Sequence, residues 1–413
     1  MRRWILAGLL ATTTACGSLT TPLVAYTGRE RLSTASTAVP SQLVVKFRAA
    51  AASRSIGTFL QTQGARPLKS GSGNRASLIT VSGDPATAAQ RFQQSGLVDY
   101  AEPNYRMKVS FTPNDPKTGG SSGQYGLALM GLDKAWNLGL GDSRVIIGVV
   151  DTGADLKHPD LVKQFVPGYN VITKGAESPM DDNGHGTHVS GIAAAEADNG
   201  IGIAGVAPHC KVMPVKALDR KGEGNTYDIA EGIYWAVDHG ARVINLSLGG
   251  RGASQALRDA VDYAVSKRVV LVAAMGNGDE NGVGQNWPTF PASYSGVIAV
   301  GAVDKQRTVT EFSNWGSWIS VVAPGNDILS TMPTYPVFQT TTNGYQQNYD
   351  MMPGTSMASP MVAGVCALIL SRYPAMTPAQ VKAKLETTAR HLGDAGFNEK
   401  YGYGLVDAFR AVM

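Results

Sequence analysis

The sequence predicts an α/β protein: a parallel sheet flanked by helices on both faces, preceded by a small α+β domain. Three observations predict it. Short apolar, β-branched runs recur over 145–150, 212–218, 243–248, 269–274, 297–303 and 319–323. Such runs read as strands buried on both faces. Helical stretches, 226–239 and 255–267 among them, alternate with several of these runs, as in a parallel sheet with crossover helices. Upstream, 41–110 reads as strand 43–47, helix 53–63, short strand 66–69, strand 76–81, helix 85–95 and strand 98–100. That order is a small α+β sandwich.

The elements follow in order from the N-terminus. Arg2 and Arg3 precede an apolar run over 4–11 and then small residues, the layout of an export signal over 1–16. Cys16 after Thr13-Thr14-Ala15 resembles a bacterial lipoprotein cleavage site, with Thr13 where that pattern prefers Leu. Residues 17–40 are rich in Thr, Ser and Ala and read as a linker; 112–123, rich in Pro, Gly and Ser, reads as a second. Pro214 weakens the strand reading of 212–218, because proline cannot donate to a ladder. Thr377-Pro378-Ala379-Gln380 reads as a capping box opening the last long helix. After export two cysteines remain. Cys366 lies in the apolar helical stretch 361–370, and spacing leaves open whether it pairs with Cys210 or both stay free.

Composition excludes several classes. The 413 residues are 43% hydrophobic and 16% charged, the reverse of a disordered chain. There is no collagen-like glycine period and no run of about 20 apolar residues that would span a membrane. The net charge of +4 is unevenly spread. Residues 1–110 hold 13 Lys and Arg against 4 Asp and Glu, a net +9, while 111–413 hold 23 against 28, a net −5. No short Lys/Arg-rich patch appears, so a nucleic-acid partner is not expected.

In open α/β sheets ligands bind beyond the carboxyl ends of the strands. Asp151 ends the run 145–150, His185 opens the helical stretch 185–191, and Ser356 precedes an apolar helix. A serine hydroxyl becomes a nucleophile when a base takes its proton. Histidine suits that task near neutral pH, and a carboxylate fixes its tautomer and stabilises its cation. Singly, each residue has a plainer reading: Asp151 in a turn, His185 with His188 on a metal, Ser356 as a helix cap, Asn277 in an Asn-Gly turn. Together and in this order they point to acyl transfer.

Three motifs carry a resemblance: Asp151-Thr152-Gly153, HGTHVSG at 185–191 and GTSMASPMVAG at 354–364. The chain resembles the subtilisin family of serine proteases (subtilases), most of all thermitase-type members, over essentially all of 111–413. The resemblance implies a subtilisin-like catalytic domain over 111–413. Ser356 would be the nucleophile, His185 the base, Asp151 its orienting carboxylate and Asn277 an oxyanion donor beside the Ser356 N–H. Gly222, Glu223 and Gly224, with Ser247, Leu248 and Gly249, would form edges that pair with substrate backbone, giving broad specificity. One structural calcium ion would be held by Asp115, Asp160, the Asn199 side chain and the carbonyls of Ala197, Ile201 and Ile203. Residues 41–110 would be an inhibitory propeptide that assists folding, removed by self-cleavage near Ser110–Phe111.

The expected protein is therefore a secreted, monomeric, self-processing endopeptidase acting on proteins and peptides, with a membrane partner only if Cys16 is lipidated. Two rivals remain. One is a catalytically inactive, peptide-binding relative. The other is a metal hydrolase using His185, His188 and Asp151. A phosphate loop over 276–284 is discounted, since no Lys-Ser/Thr follows it.

Overall fold

The computed structural model describes residues 38–71, 75–106, 111–119, 123–394 and 396–413. The export signal, Cys16 and Ser110 of the expected cleavage point lie outside them. The chain divides into two compact units at Val109/Ser110.

The first unit is a four-stranded antiparallel sheet in the order Arg66–Lys69, Ser77–Thr80, Ala38–Phe47, Val98–Tyr105. Two helices, Ser53–Thr62 and Pro85–Gln94, interleave with the strands as expected. Asp84 caps the second helix by accepting from the Thr87 N–H at 2.8 Å, and Pro85 takes its first position. That helix buries Ala88, Ala89 and Phe92 against Leu43, Val45 and Ile79. Phe59 of the first helix meets Phe92 edge-on at 5.0 Å. One boundary is corrected: the first strand begins at Ala38, so residues 38–40 of the expected linker belong to the sheet. Ala38 pairs with Tyr105 across an irregularity before Leu43, where Ser41 takes a left-handed φ of 57°. This break in the alternation concealed the strand's start.

The second unit is built on a seven-stranded, wholly parallel sheet. Its order is Val321–Pro324, Val297–Val303, Val270–Ala274, Ala241–Leu246, Ile146–Asp151, Lys211–Lys216, Tyr169–Asn170. The six expected apolar runs all form strands, with ends moved by at most two residues. Helices His185–Ala194 and Thr355–Arg372 pack together, as do Thr226–Asp238 and Gln255–Ser266, one pair against each face of the sheet. Thr355–Arg372 is long and apolar enough to cross a membrane by composition, but 83% of it is buried in the core.

Pro214 is accommodated inside its strand. Val212 exchanges backbone hydrogen bonds with Gln164 and Val166 on the edge side. Pro214, two residues on, points its missing N–H toward that same ragged edge rather than into the centre of the sheet. The capping box forms as read: Gln380 N–H donates to Thr377 Oγ1 and Thr377 N–H to Gln380 Oε1. Cys210 and Cys366 are both buried free thiols, which decides the question left open by spacing. The hairpin Ile328–Thr331 with Tyr349–Met352, and the helix Phe338–Thr342 between its strands, had no counterpart in the sequence reading.

The sheet order reverses around Ile146–Asp151. The chain passes to Lys211–Lys216 on one side and then to Ala241–Leu246 on the other. A crevice at the carboxyl ends of strands forms at such a switch point.

Candidate functional site

The expected residues follow four adjacent strand ends. Asp151 is the last residue of its strand, the 218–224 turn follows Lys211–Lys216, Ser247 follows Ala241–Leu246, and Asn277 follows Val270–Ala274. Asp151 is fully buried. Its Oδ1 accepts from Thr152 N–H at 2.8 Å and lies 2.7 Å from His185 Nδ1. Its Oδ2 is buried without a hydrogen-bond partner.

His185 is held by the start of its own helix. Asn183 Oδ1 accepts from His185 N–H, Thr152 Oγ1 from Gly186 N–H, and Asp181 from Gly184 and Thr187 N–H. Burial alone would lower the imidazole pKa. The adjacent Asp151 carboxylate outweighs it, and the pKa is raised above the ordinary 6.5. His188 differs. It is fully buried, its Nε2 faces Asp350 O at 3.1 Å, and burial pushes its pKa down to about 3. It is a neutral core histidine, and among the described residues no three His, Cys, Asp or Glu side chains gather to hold a metal. The metal-hydrolase rival therefore lacks its ligand set.

Ser356 is the second residue of the helix Thr355–Arg372. Its Oγ donates to Ser247 O at 3.2 Å, and no hydrogen bond to His185 forms in this state. Ser247 Oγ in turn donates to Ser356 O at 2.7 Å. Pro360 explains why that carbonyl is free: in a regular helix the N–H of residue 360 would occupy it, and proline has none. The network continues inward. Asn245 Nδ2 donates to Ser247 Oγ at 2.9 Å, and Ser359 Oγ donates to Asn245 Oδ1 at 2.7 Å. Asn245 and Ser359 are fully buried. The sequence reading missed both, although Ser359 stands inside the motif 354–364.

Asn277 is oriented by Thr355. Its Oδ1 accepts from Thr355 N–H at 2.9 Å and Thr355 Oγ1 at 2.8 Å. The Nδ2 end is left facing Gly354, where a Cβ would come within 3.3 Å of it. Gly354 has a φ of 146°, a conformation open to glycine, two residues before Ser356. An amide so anchored can donate to an oxyanion forming beside Ser356.

His185, Gly222, Glu223, Gly224, Ser247, Leu248 and Gly249 all line one cleft of about 710 Å³. The 222–224 edge is turned by Asp219, whose Oδ1 accepts from Lys221 and Glu223 N–H. The six expected substrate-edge residues and the histidine thus share one cavity. Ser356 and Asn277 are joined to its rim by the hydrogen bonds above.

The expected calcium residues meet elsewhere. Asp115 and Asp160 are buried against the loop 197–203. Asp115 Oδ2 accepts from Asp198 N–H at 2.7 Å. Asp160 accepts from Asn199 Nδ2 at 2.7 Å, Ile203 N–H at 2.9 Å and Tyr349 OH at 3.1 Å. Gly202 is required there, because a Cβ would lie 2.0 Å from Asp160 Oδ2. Burial raises both carboxyl pKa values, and neither group has an ion pair among the described residues. The carbonyls of Ala197, Ile201 and Ile203 accept no hydrogen bond among the described residues, and Asn199 Oδ1 accepts from Ile201 N–H at 2.9 Å. Buried carboxylates beside unused carbonyls form an all-oxygen donor set that fits a hard divalent cation.

Comparison with known proteins shows the family. The family model described as "Subtilase family" matches residues 142–404, and one described as "Fervidolysin N-terminal prodomain" matches 27–104. A thermophilic serine proteinase of Bacillus sp. (strain AK1) is 43% identical over 330 residues, covering 80% of this chain and 76% of its own. Thermitase of Thermoactinomyces vulgaris is 40% identical over 303 residues, covering 73% of this chain and 100% of its own. The crystal structure of fervidolysin from Fervidobacterium pennivorans, a keratinolytic enzyme related to subtilisin, superposes with a TM-score of 0.62 at 31% identity. That match covers 91% of this chain and 61% of fervidolysin's.

Proposed function

The chain belongs to the subtilase family and is a serine-type endopeptidase carrying an N-terminal prodomain, and from this premise we propose how its own residues act. Ser356 Oγ attacks the carbonyl carbon of the scissile peptide bond, and His185 Nε2 takes the hydroxyl proton. Asp151 holds His185 in the tautomer that carries its proton on Nδ1 and stabilises the imidazolium. The oxyanion lies between Asn277 Nδ2 and the Ser356 N–H. Collapse breaks the C–N bond, the amine leaves with the proton from His185, and an ester on Ser356 remains. Water, deprotonated by the same histidine, hydrolyses that ester.

The observation that carries this reading is the 2.7 Å Asp151–His185 pair on the cleft that both substrate edges line. Edges that pair with backbone recognise every peptide alike, which favours broad specificity. Retention of Asp151, His185, Ser356 and Asn277 disfavours the inactive, peptide-binding alternative.

The remaining assignments follow the same reading. Residues 1–16 direct export, with secretion or lipidation at Cys16 as the two fates, and a linker leads into the prodomain, which ends near residue 110. The prodomain assists folding and inhibits the catalytic domain, which works as a monomer. Asp115, Asp160, the Asn199 side chain and the carbonyls of Ala197, Ile201 and Ile203 would hold calcium, which would compensate the carboxylate charge and fasten the loop 197–203.

The test compares wild type with Ser356→Ala. Wild type is expected to shorten itself and to digest an unfolded protein. The variant is expected to stay at full length and digest nothing. Self-shortening by the variant would refute the assignment.

A further inference from the structure

The segment 333–343 packs along the turn that precedes His185. Phe338 N–H donates to Asp182 O at 3.1 Å and Gln339 N–H to Asn183 O at 2.9 Å. Tyr335 OH donates to Asp181 O at 2.7 Å, and Thr334 Oγ1 to Asp155 Oδ2 at 2.8 Å. Met332 and Val337 close on Gly184, where a Cβ would lie 3.1 Å from Met332 Cε and 3.3 Å from Val337 Cγ2, and whose left-handed φ of 114° disfavours any side chain. The segment is thus fastened along the three residues that lead into the base.

One residue of this segment borders the cleft. Gln339 lines it together with Asn183, His185 and both substrate edges. Its Oε1 accepts from Asn343 Nδ2 at 2.7 Å. That bond, between exposed side chains one helical turn apart, leaves Nε2 with no partner among the described residues. Lys221 and Glu223 also line the cleft, one of each sign. Gln339 Nε2 therefore remains as a neutral donor on the cleft that His185 also lines.

We propose that Gln339 is a specificity-determining residue. Its Nε2 donates to a hydrogen-bond-accepting side chain of the substrate, such as Asn or Asp, on the acyl side of the scissile bond. The substrate's backbone groups there are taken by the edges 222–224 and 247–249, so the free donor meets a side chain. This rests on the peptidase mechanism proposed above and adds a preference to an otherwise permissive cleft.

The experiment uses the processed enzyme and fluorogenic peptides varied at each of the four residues before the cut among Ala, Leu, Asn and Asp. At one position, the ratio of kcat/KM for Asn over its near-isostere Leu should fall about three- to tenfold in Gln339→Leu, the scale of one neutral hydrogen bond. Gln339→Glu keeps the size and the Asn343 contact but presents only acceptors, so it should lower the Asp-to-Leu ratio further at the same position. Both variants keep the backbone bond to Asn183. Unchanged ratios at all four positions, with the all-alanine peptide still cleaved, would overturn this proposal alone. A wild type that cleaves none of the peptides would overturn the underlying mechanism and this proposal with it.

Discussion

Ser356 has its hydroxyl on Ser247 O and its carbonyl under Ser247 Oγ. One serine thus pins the proposed nucleophile at two atoms, and Asn245 and Ser359 pin that serine. Asn245→Leu should lower kcat more than it raises KM, because the substrate edges remain while the nucleophile loses its placement. Asn277→Leu removes an oxyanion donor at nearly constant shape. Its kcat should fall by about 10²–10³, a magnitude taken from a member of this family, with KM little changed in steady-state kinetics. His185 must be neutral to take a proton, so kcat/KM should rise with pH through a value above 6.5. Asp151→Asn leaves burial as the dominant influence and should shift that rise to lower pH. Raised in the folded state, His185 stabilises the fold below its unfolded pKa, and that contribution fades as pH climbs through the folded value. The placing of Asp151, His185, Ser356 and Asn277 at element ends was legible because apolar runs and motifs marked those ends. Asn245 was not, since a polar residue inside an apolar strand reads as an exception until its partners are seen.

At the scale of elements, the helix His185–Ala194 begins without a side-chain cap on Gly184. Asp181 does that work from outside, accepting from Thr152 Oγ1, from Asn183, Gly184 and Thr187 N–H and from Thr187 Oγ1. Asp181→Ala would strand several buried donors, each costing about 1–3 kcal/mol. The expected result is a lower unfolding midpoint together with reduced kcat, read by calorimetry and kinetics. The parallel strands were legible from their apolar runs, whereas the hairpin Ile328–Thr331/Tyr349–Met352 and its short helix were not. The hairpin lies on the helix His185–Ala194, where Ser330 and Thr331 donate to His188 O and Thr187 O, and the short helix lies along the turn at 182–183, so their residues are mixed in polarity. Pro214 misled for a related reason, since the side of a strand that a residue's N–H faces depends on pairing that composition does not encode.

On the scale of the whole molecule, the +4 of the full chain conceals two oppositely charged parts. Without residues 1–15 the piece 16–110 carries +7, against −5 on 111–413. If the prodomain inhibits through this attraction, added salt should raise its inhibition constant, measurable with separately prepared prodomain and enzyme. Calcium should raise the unfolding midpoint, by about 2.7 kcal/mol of stability at a hundredfold excess over Kd. Asp160→Asn should largely abolish that response in calorimetry with and without chelator. The two-unit plan was legible because the order of elements changes near residue 110, while the exact start of the first strand was hidden by the irregularity at Ser41. The central claim is that Ser356 is a nucleophile activated by His185. Its most direct test is mass spectrometry of the processed enzyme after reaction with a fluorophosphonate, in which Ser356 Oγ would bond to phosphorus and expel fluoride. The account predicts one adduct, on the peptide containing Ser356, and none in His185→Ala under the same conditions. An unlabelled Ser356 in enzyme that still cleaves peptides, or equal labelling without His185, would contradict it.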